Sequence, residues 1–174
     1  MFDKVSKLTK IPCKFPSLKN ARQMFMECNI SGHLDLDMPR DFPNVKTNSF
    51  TGGNYPTAYM FGKCPITSIS FDVSTCDHCI SMFNSCTQLT SCSKAVFMVG
   101  GNYQNMFSES MFDEASADII IAAARTANVS MLHIGMNSAY RNDNFKSKHG
   151  CEQVDEGYDD QWKVTGTNII IKWN

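Results

Sequence analysis

Residues Met82–Leu89 read "MFNSCTQL", and the same Met-Phe pair begins at Met1, Met24, Met60 and Met106, giving intervals of 23, 36, 22 and 24 residues along the chain. The fifth place of the phrase holds Cys28, Cys64 and Cys86 in three copies, with Val5 and Ser110 in the first and last. Three residues before four of the Met-Phe pairs stand Ala21, Thr57, Cys79 and Tyr103. These columns run at i, i+3, i+4 and i+7, which is one face of a helix about two turns long, so the spacing predicts a short helix at each copy.

Pairs of aliphatic or small residues, separated by two positions, follow the phrase: Leu8 with Ile11, Ile66 with Ile69, and Leu89 with Cys92. Their settings, "KLTKI", "PITSISF" and "QLTSC", predict one short strand per copy with Ser and Thr on the exposed side. A helix and a strand in each repeat describe a short α/β solenoid of the leucine-rich-repeat kind, in which each unit buries its apolar face on the next.

The bulk of the chain agrees with one domain. With 174 residues it is long enough to bury roughly two thirds of the surface its unfolded form exposes. A net charge of −1, from 16 basic and 17 acidic residues, leaves no dense Lys/Arg patch for a phosphate backbone, so nucleic acid is not an expected partner. No stretch has the roughly 18–20 apolar residues of a membrane span, and "MFDKVSKLTK" lacks the apolar middle of a signal peptide, so no membrane insertion is expected. The eight cysteines invite a disulfide framework. A cysteine recurring in one repeat column fits reduced, buried side chains acting as compact hydrophobes, which is the reading preferred here over disulfides.

The long second interval contains "SFTGGNYPTAY" at 49–59, and "FMVGGNYQN" at 97–105 repeats its Gly-Gly-Asn-Tyr element. Glycine pairs supply turn conformations ahead of the expected helices. The element is read either as a corner turn or as a pair of projecting loops, in which Asn54, Tyr55, Asn102 and Tyr103 become the candidate binding residues. Tyr offers contact area at low entropic cost and Asn both donor and acceptor. Tyr103 also falls in the inward column with Ala21 and Cys79, which leaves packing open for it.

After Met106 the repeat decays. "DEASADIIIAAARTAN", 113–128, predicts a helix with Asp113 as its N-cap and acidic residues in the first turn. "VSMLHIGM" predicts a strand, the polar run at 140–161 an irregular segment, and "WKVTGTNIIIKW" a β-hairpin turning at Thr165–Thr167. The sequence thus divides into repeats at 1–112 and a capping segment of the same domain at 113–174, whose helix and hairpin would cover the open end of the array.

"QMFMEC", "YMFGKCPITSI" and "SMFNSCTQLTS" resemble the BspA-type leucine-rich repeats, which read as a Met-Phe helix end, a Cys and a Leu-Thr-x-Leu strand. The likeness spans about Met1 to Phe112. The 36-residue interval departs from the pattern, and "LDLD" at Leu34–Asp37 is the nearest approach to the family's strand. The resemblance implies adhesion or recognition at a cell or virion surface.

Residues that could carry chemistry have simpler readings. "CDHC" at Cys76–Cys79 has zinc-knuckle spacing without a second pair, and Cys79 lies in the inward column, so packing is preferred over zinc or thiol redox chemistry. His33, His78, His133 and His149 are scattered through different units. Cys151 and His149 are two apart and are not expected to face one another as a nucleophile pair. Asp155, Glu156, Asp159 and Asp160 lack the Asp-x-Asp-x-Asp-Gly order of a calcium loop. No catalytic residue, metal or cofactor is therefore expected.

The function expected from sequence is a non-enzymatic binding or structural module. Because the chain opens on a Met that already begins a repeat phrase, a bacteriophage virion component is expected, touching other virion proteins or a host cell-surface receptor. The alternative is a fragment of a secreted bacterial BspA-like adhesin, and both allow homo-oligomers.

Overall fold

The computed structural model describes residues 2–5, 7–11, 14–45, 55–154 and 160–174, and the phrase that dominates the sequence does not form helices there. The copies at Met24, Met60 and Met82 are runs of overlapping β-turns, and the copy at Met106 is extended strand. Within the second copy Met24 N–H donates to Ala21 O (3.0 Å), Met26 to Gln23 (3.3 Å) and Cys28 to Phe25 (3.1 Å). The alternate amides leave the copy: Ala21 donates to Pro56 O (2.7 Å), Gln23 to Ala58 (2.9 Å), Phe25 to Met60 (2.9 Å) and Glu27 to Gly62 (2.8 Å). Every second amide thus closes a local turn while the others stitch one copy to the next, which accounts for the backbone donors with no helix or strand ladder inside the copy.

This geometry requires left-handed residues at fixed places. The residue before Met and the third residue after it have positive φ: Gln23 and Glu27, Tyr59 and Lys63, Ser81 and Ser85 at 52–61°, joined by Lys4 and Asn105. A left-handed non-glycine residue is unfavourable, on the order of 1–3 kcal/mol, and no α-helix contains such residues every four positions. Turns of this kind bring the i, i+3, i+4 and i+7 positions to one side as a helix would, which is why the column spacing misidentified them. Ala21, Met24, Phe25 and Cys28 are all buried.

Two side-chain columns run through the stacked copies. Phe2, Phe25, Phe61, Phe83 and Phe107 stack with centroids 5.6, 5.3, 5.4 and 5.4 Å apart and planes within 12° of parallel. The thiols of Cys28, Cys64 and Cys86 donate to the carbonyls of Phe2, Phe25 and Phe61 in the preceding copy at 2.7, 3.0 and 3.1 Å. Burial alone would raise such thiols, and it does, to about 12 for Cys64 and Cys86. Cys28, Cys64, Cys76, Cys79, Cys86, Cys92 and Cys151 are free and buried; Cys13 lies outside the described residues.

Opposite the turns, strands β1 (Gly32–Asp37), β2 (Ile66–Val73) and β3 (Ser91–Phe97) form a parallel sheet in the order β1-β2-β3. A short helix α1 (Met38–Asp41) follows β1. Leu34, Leu36, Ile69, Phe71 and Phe97 point into the core, where Phe71 meets Phe107 at 5.6 Å and Phe97 meets Tyr103 at 4.7 Å. Strand β4 (Asn102–Phe112) carries the fifth Met-Phe pair, accepts amides from the fourth copy, and pairs parallel with β5 (Met131–Met136). The second sheet continues in the order β4-β5-β8-β7-β6, with β6 at Cys151–Gln153, β7 at Gln161–Val164 and β8 at Ile169–Trp173. Helix α2 (Glu114–Thr126) starts at the Asp113 cap and covers the edge of β3, where Ser116 Oγ accepts Cys92 N–H at 2.8 Å. Helix α3 (Asp143–His149) runs from the Asn142 cap to left-handed Gly150, inside the segment expected to be irregular.

The expected leucine-rich-repeat solenoid with a helix and hairpin cap is therefore corrected to a mixed α/β fold. The strands belong to two sheets, one of three parallel and one of five mixed strands, the described residues hold three α-helices, none of them in a Met-Phe copy, and no solenoid closure forms. The hairpin of β7 and β8 is continued on its far side by a parallel pairing of β8 with β5, so it is part of the second sheet.

Ser110 stands in the cysteine column of the last copy, fully buried, and its hydroxyl has no hydrogen-bond partner among the described residues. An unsatisfied buried hydroxyl costs about 1–3 kcal/mol. Ser110→Ala should therefore raise stability by about 1 kcal/mol in denaturant unfolding; an unchanged or lower midpoint would show that the hydroxyl is satisfied.

Candidate functional site

The outward face of the β1–β3 sheet is where the chain places polar side chains in ordered rows. In β1, "GHLDLD", alternation sends Leu34 and Leu36 inward and His33 and Asp35 outward. In β2, Ile66 and Ile69 both point inward although three apart, because the pairing register shifts at the matching place in β1, between Gly32 and His33. The parallel registers then align His33 with Ser68 and Ser91, Asp35 with Ser70 and Lys94, and Asp37 with Asp72 and Val96.

Hydrogen bonds fix the first two rows. Ser70 Oγ donates to Asp35 Oδ1 at 2.7 Å and lies 3.4 Å from His33 Nε2, while His33 Nδ1 is 2.9 Å from Ser68 Oγ. With its proton committed to Asp35, the Ser70 oxygen meets His33 Nε2 as an acceptor. The bond from Ser70, followed by the Arg40 guanidinium, holds the Asp35 carboxyl below its usual range. Arg40 Nη1 reaches Asp35 Oδ2 at 3.2 Å, and its Nε and Nη2 grip both oxygens of Asp41 at 2.8 and 2.7 Å. His33 and Asp35 are exposed and Ser68 and Ser70 half-buried. The result is a flat, pre-ordered surface, acidic along β1 and basic at Lys94 on β3.

The Gly-Gly-Asn-Tyr candidates occupy different surroundings. Asn54 lies outside the described residues. Tyr55 is half-buried, with its ring stacked on His78 at 5.6 Å. Asn102 begins β4, where its amide donates to Asp77 O at 2.6 Å and its side chain accepts Gln104 N–H at 3.0 Å. Tyr103 has no exposed surface; its hydroxyl donates to Cys76 O and accepts from Met98 N–H, each at 2.9 Å. A side chain at Gly101 would collide with the Tyr103 ring, and Gly100 has φ of 72°, so the glycine pair seats this tyrosine in the core.

Among the other titratable residues, Cys76 and Cys79 are free thiols in the core, and burial above all pushes Cys79 far up. His78 Nδ1 lies 3.1 Å from Asp77 Oδ1. His149 is buried, with Nε2 2.9 Å from Asp118 Oδ1 on α2, where Lys148 also reaches Asp118 (2.6 Å) and Glu114 (3.0 Å). These ion-pair contacts join α3 to α2, and within α3 the His149 ring faces Phe145 at 4.5 Å. No group of three or more His, Cys, Asp or Glu able to hold a metal occurs among the described residues. Of the acidic run at 155–160, only Asp160 is described. Among the described residues, no helix is long and apolar enough to cross a membrane.

His33, Asp35, Ser68 and Ser70 do not stand out as a group in the sequence. The alternation of "GHLDLD" and the Ser-rich strand were visible signals, but the register that aligns them is set by pairing between strands 35 residues apart. Comparison with protein-family models, curated proteins and solved structures gives no match for this chain.

A separate polar cluster supplies a pH test. His133 on β5 contacts Asn105 Oδ1 at 2.7 Å, and that oxygen also accepts from Ser108 (3.0 Å) and Lys172 (3.4 Å). Burial, aided by the Lys172 charge, lowers His133 from 6.5 to about 4. Because the unfolded ring binds its proton first, the stability from keeping His133 neutral is fully present above pH 6.5 and is lost as pH falls toward 4. Discounted for partial exposure, the loss should be about 1–2 kcal/mol. His133→Gln should flatten that part of the stability profile between those values; an identical slope in the variant would place the titration elsewhere.

Proposed function

We propose that this protein is a non-enzymatic binding module that engages a polar partner surface through the outward face of the β1–β3 sheet. The observation that carries this reading is the His33–Ser70–Asp35–Arg40 chain of contacts, which holds exposed side chains in place before any partner arrives. Such pre-ordering reduces the conformational entropy lost on association. The split of charge between Asp35 and Lys94, in register across β2, favours a partner with the opposite polarity along its own surface.

The same geometry speaks against a hydrolytic role for this Ser, His and Asp set. A general base must accept the nucleophile's proton, whereas here Ser70 gives its proton to Asp35 and receives one from His33. The raised thiols of Cys64, Cys86, Cys92 and Cys151 likewise lack the thiolate character of a cysteine nucleophile. The repeat resemblance alone suggests where the module works, on a virion against another virion protein or a host receptor, or on a bacterial surface.

Two variants test the reading. Ser70→Tyr adds bulk to the middle of the face and Asp35→Lys inverts its charge; both sites are solvent-facing, and each variant should keep its stability within about 1 kcal/mol. Binding of the purified protein to whole bacterial cells and to virion proteins should fall at least about tenfold for both. Undiminished binding with both substitutions would move the contact surface away from this sheet.

A further inference from the structure

At the other end of the fold a cleft of 650 Å³ opens between the C-terminus of α2 and the turn joining β7 to β8. Its volume lies within the usual range for a small-ligand site, about 300–1,000 Å³. The polar side chains that line it are Arg125 and Asn128 from α2 and the residue after next, and Lys163, Thr165, Thr167 and Asn168 from the hairpin. The lining includes two cationic residues and no carboxylate in a chain of net charge −1.

These groups differ from the β1–β3 face in being uncommitted. Lys163, Thr165, Asn168 and Asn128 make no side-chain hydrogen bond or ion pair among the described residues, and Arg125 uses one nitrogen, Nη2, on His149 O at 2.8 Å. Thr167 is the exception, its hydroxyl donating to Val164 O at 2.7 Å and accepting Ile169 N–H at 3.1 Å. At the negative end of α2 three of the last four carbonyls are already taken up. Ala123, Ala124 and Arg125 O already accept Ala127, Val129 and Asn128 N–H at 3.0, 3.2 and 3.0 Å. Glu152 is the cross-strand neighbour of Lys163, but it lines the adjoining hollow of 530 Å³ and forms no ion pair with it.

We propose that this cleft binds an acidic sugar unit, with the carboxylate held by Lys163 and Arg125 and the ring hydroxyls by Thr165, Asn168 and Asn128. Ammonium and guanidinium donors recognise a carboxylate by charge-assisted hydrogen bonds. Hydroxyl and amide side chains exchange donors and acceptors with a polyhydroxylated ring. An aromatic or aliphatic ligand would bury these polar groups unpaired, at a loss. The cleft shares no residue with the β1–β3 face, so this inference stands or falls independently of the reading above.

The test is a titration of the full chain with D-glucuronate, D-glucose and inorganic phosphate, followed by amide chemical shifts and calorimetry. Glucuronate should give saturable shifts at Thr165, Gly166 and Asn168, and glucose should bind at least about tenfold more weakly. Lys163→Gln should weaken glucuronate about tenfold without moving the melting temperature, while Lys163→Arg should retain most of the affinity. Three results would overturn the proposal: no saturable shifts with glucuronate, a glucuronate affinity unchanged by Lys163→Gln, or phosphate binding as tightly as glucuronate, which would make the cleft an adventitious ion site only.

Discussion

The alternation of backbone hydrogen bonds in the Met-Phe copies is the constraint on which the remaining architecture depends. An amide that closes a turn inside its own copy cannot also reach the next one, so inward and outward duties fall on successive residues. Phe25, Phe61 and Phe83 donate to the following copy at 2.9, 2.9 and 3.0 Å, while Cys28, Cys64 and Cys86 donate within their own turns at 3.1, 3.2 and 3.2 Å. This fixes the distance between copies, and with it the stacking of the phenylalanine rings. It also explains why a small thiol occupies the next column: its S–H reaches a Phe carbonyl one copy back, where a larger side chain would push the copies apart.

From that stack the two sheets follow. The turn runs at Met24, Met60 and Met82 each lead into one strand of the β1–β3 sheet, so the strands inherit the parallel direction and spacing of these copies. The last copy differs. It lies in β4, which accepts from Cys79, Ser81 and Phe83 on one side and pairs with β5 on the other, and so converts the turn stack into the edge of the second sheet. The first sheet packs its apolar side through Phe71 and Phe97 against Phe107 and Tyr103, which leaves its polar side facing outward. The polar cleft near α2 arises from the independent packing of that helix beside the β7–β8 turn.

What was legible in the sequence was which residues are inside. Ala21, Met24, Phe25 and Cys28 were placed on one side by spacing alone, and they are buried. Their backbone was misread because inward positions three and four apart suit both a helix and a chain of β-turns. Left-handed residues such as Gln23, Glu27, Tyr59, Lys63, Ser81 and Ser85 separate the two, and none is glycine, so no residue type announces them. Helix α2 was legible from local chemistry, since Asp113 does cap it through Ser116 N–H at 2.8 Å. Helix α3 carries an equally local signature, Asn142 and Gly150 at its ends, but its polar face obscured the apolar periodicity around Phe145. The candidate face and the acidic-sugar cleft were not legible, because each joins residues whose proximity is decided by sheet register or by tertiary packing.

The account rests most directly on the amides that join the copies. Native-state hydrogen exchange can compare Phe25, Phe61 and Phe83, which bond across copies, with Leu18 N–H, a loop turn bond of 3.2 Å to Phe15 O. If the alternating bonds hold the fold, all three phenylalanine amides exchange only by global unfolding, with one common free energy of several kcal/mol, and Leu18 exchanges far faster. Exchange of Phe25, Phe61 and Phe83 at the rate of the Leu18 amide would contradict the account.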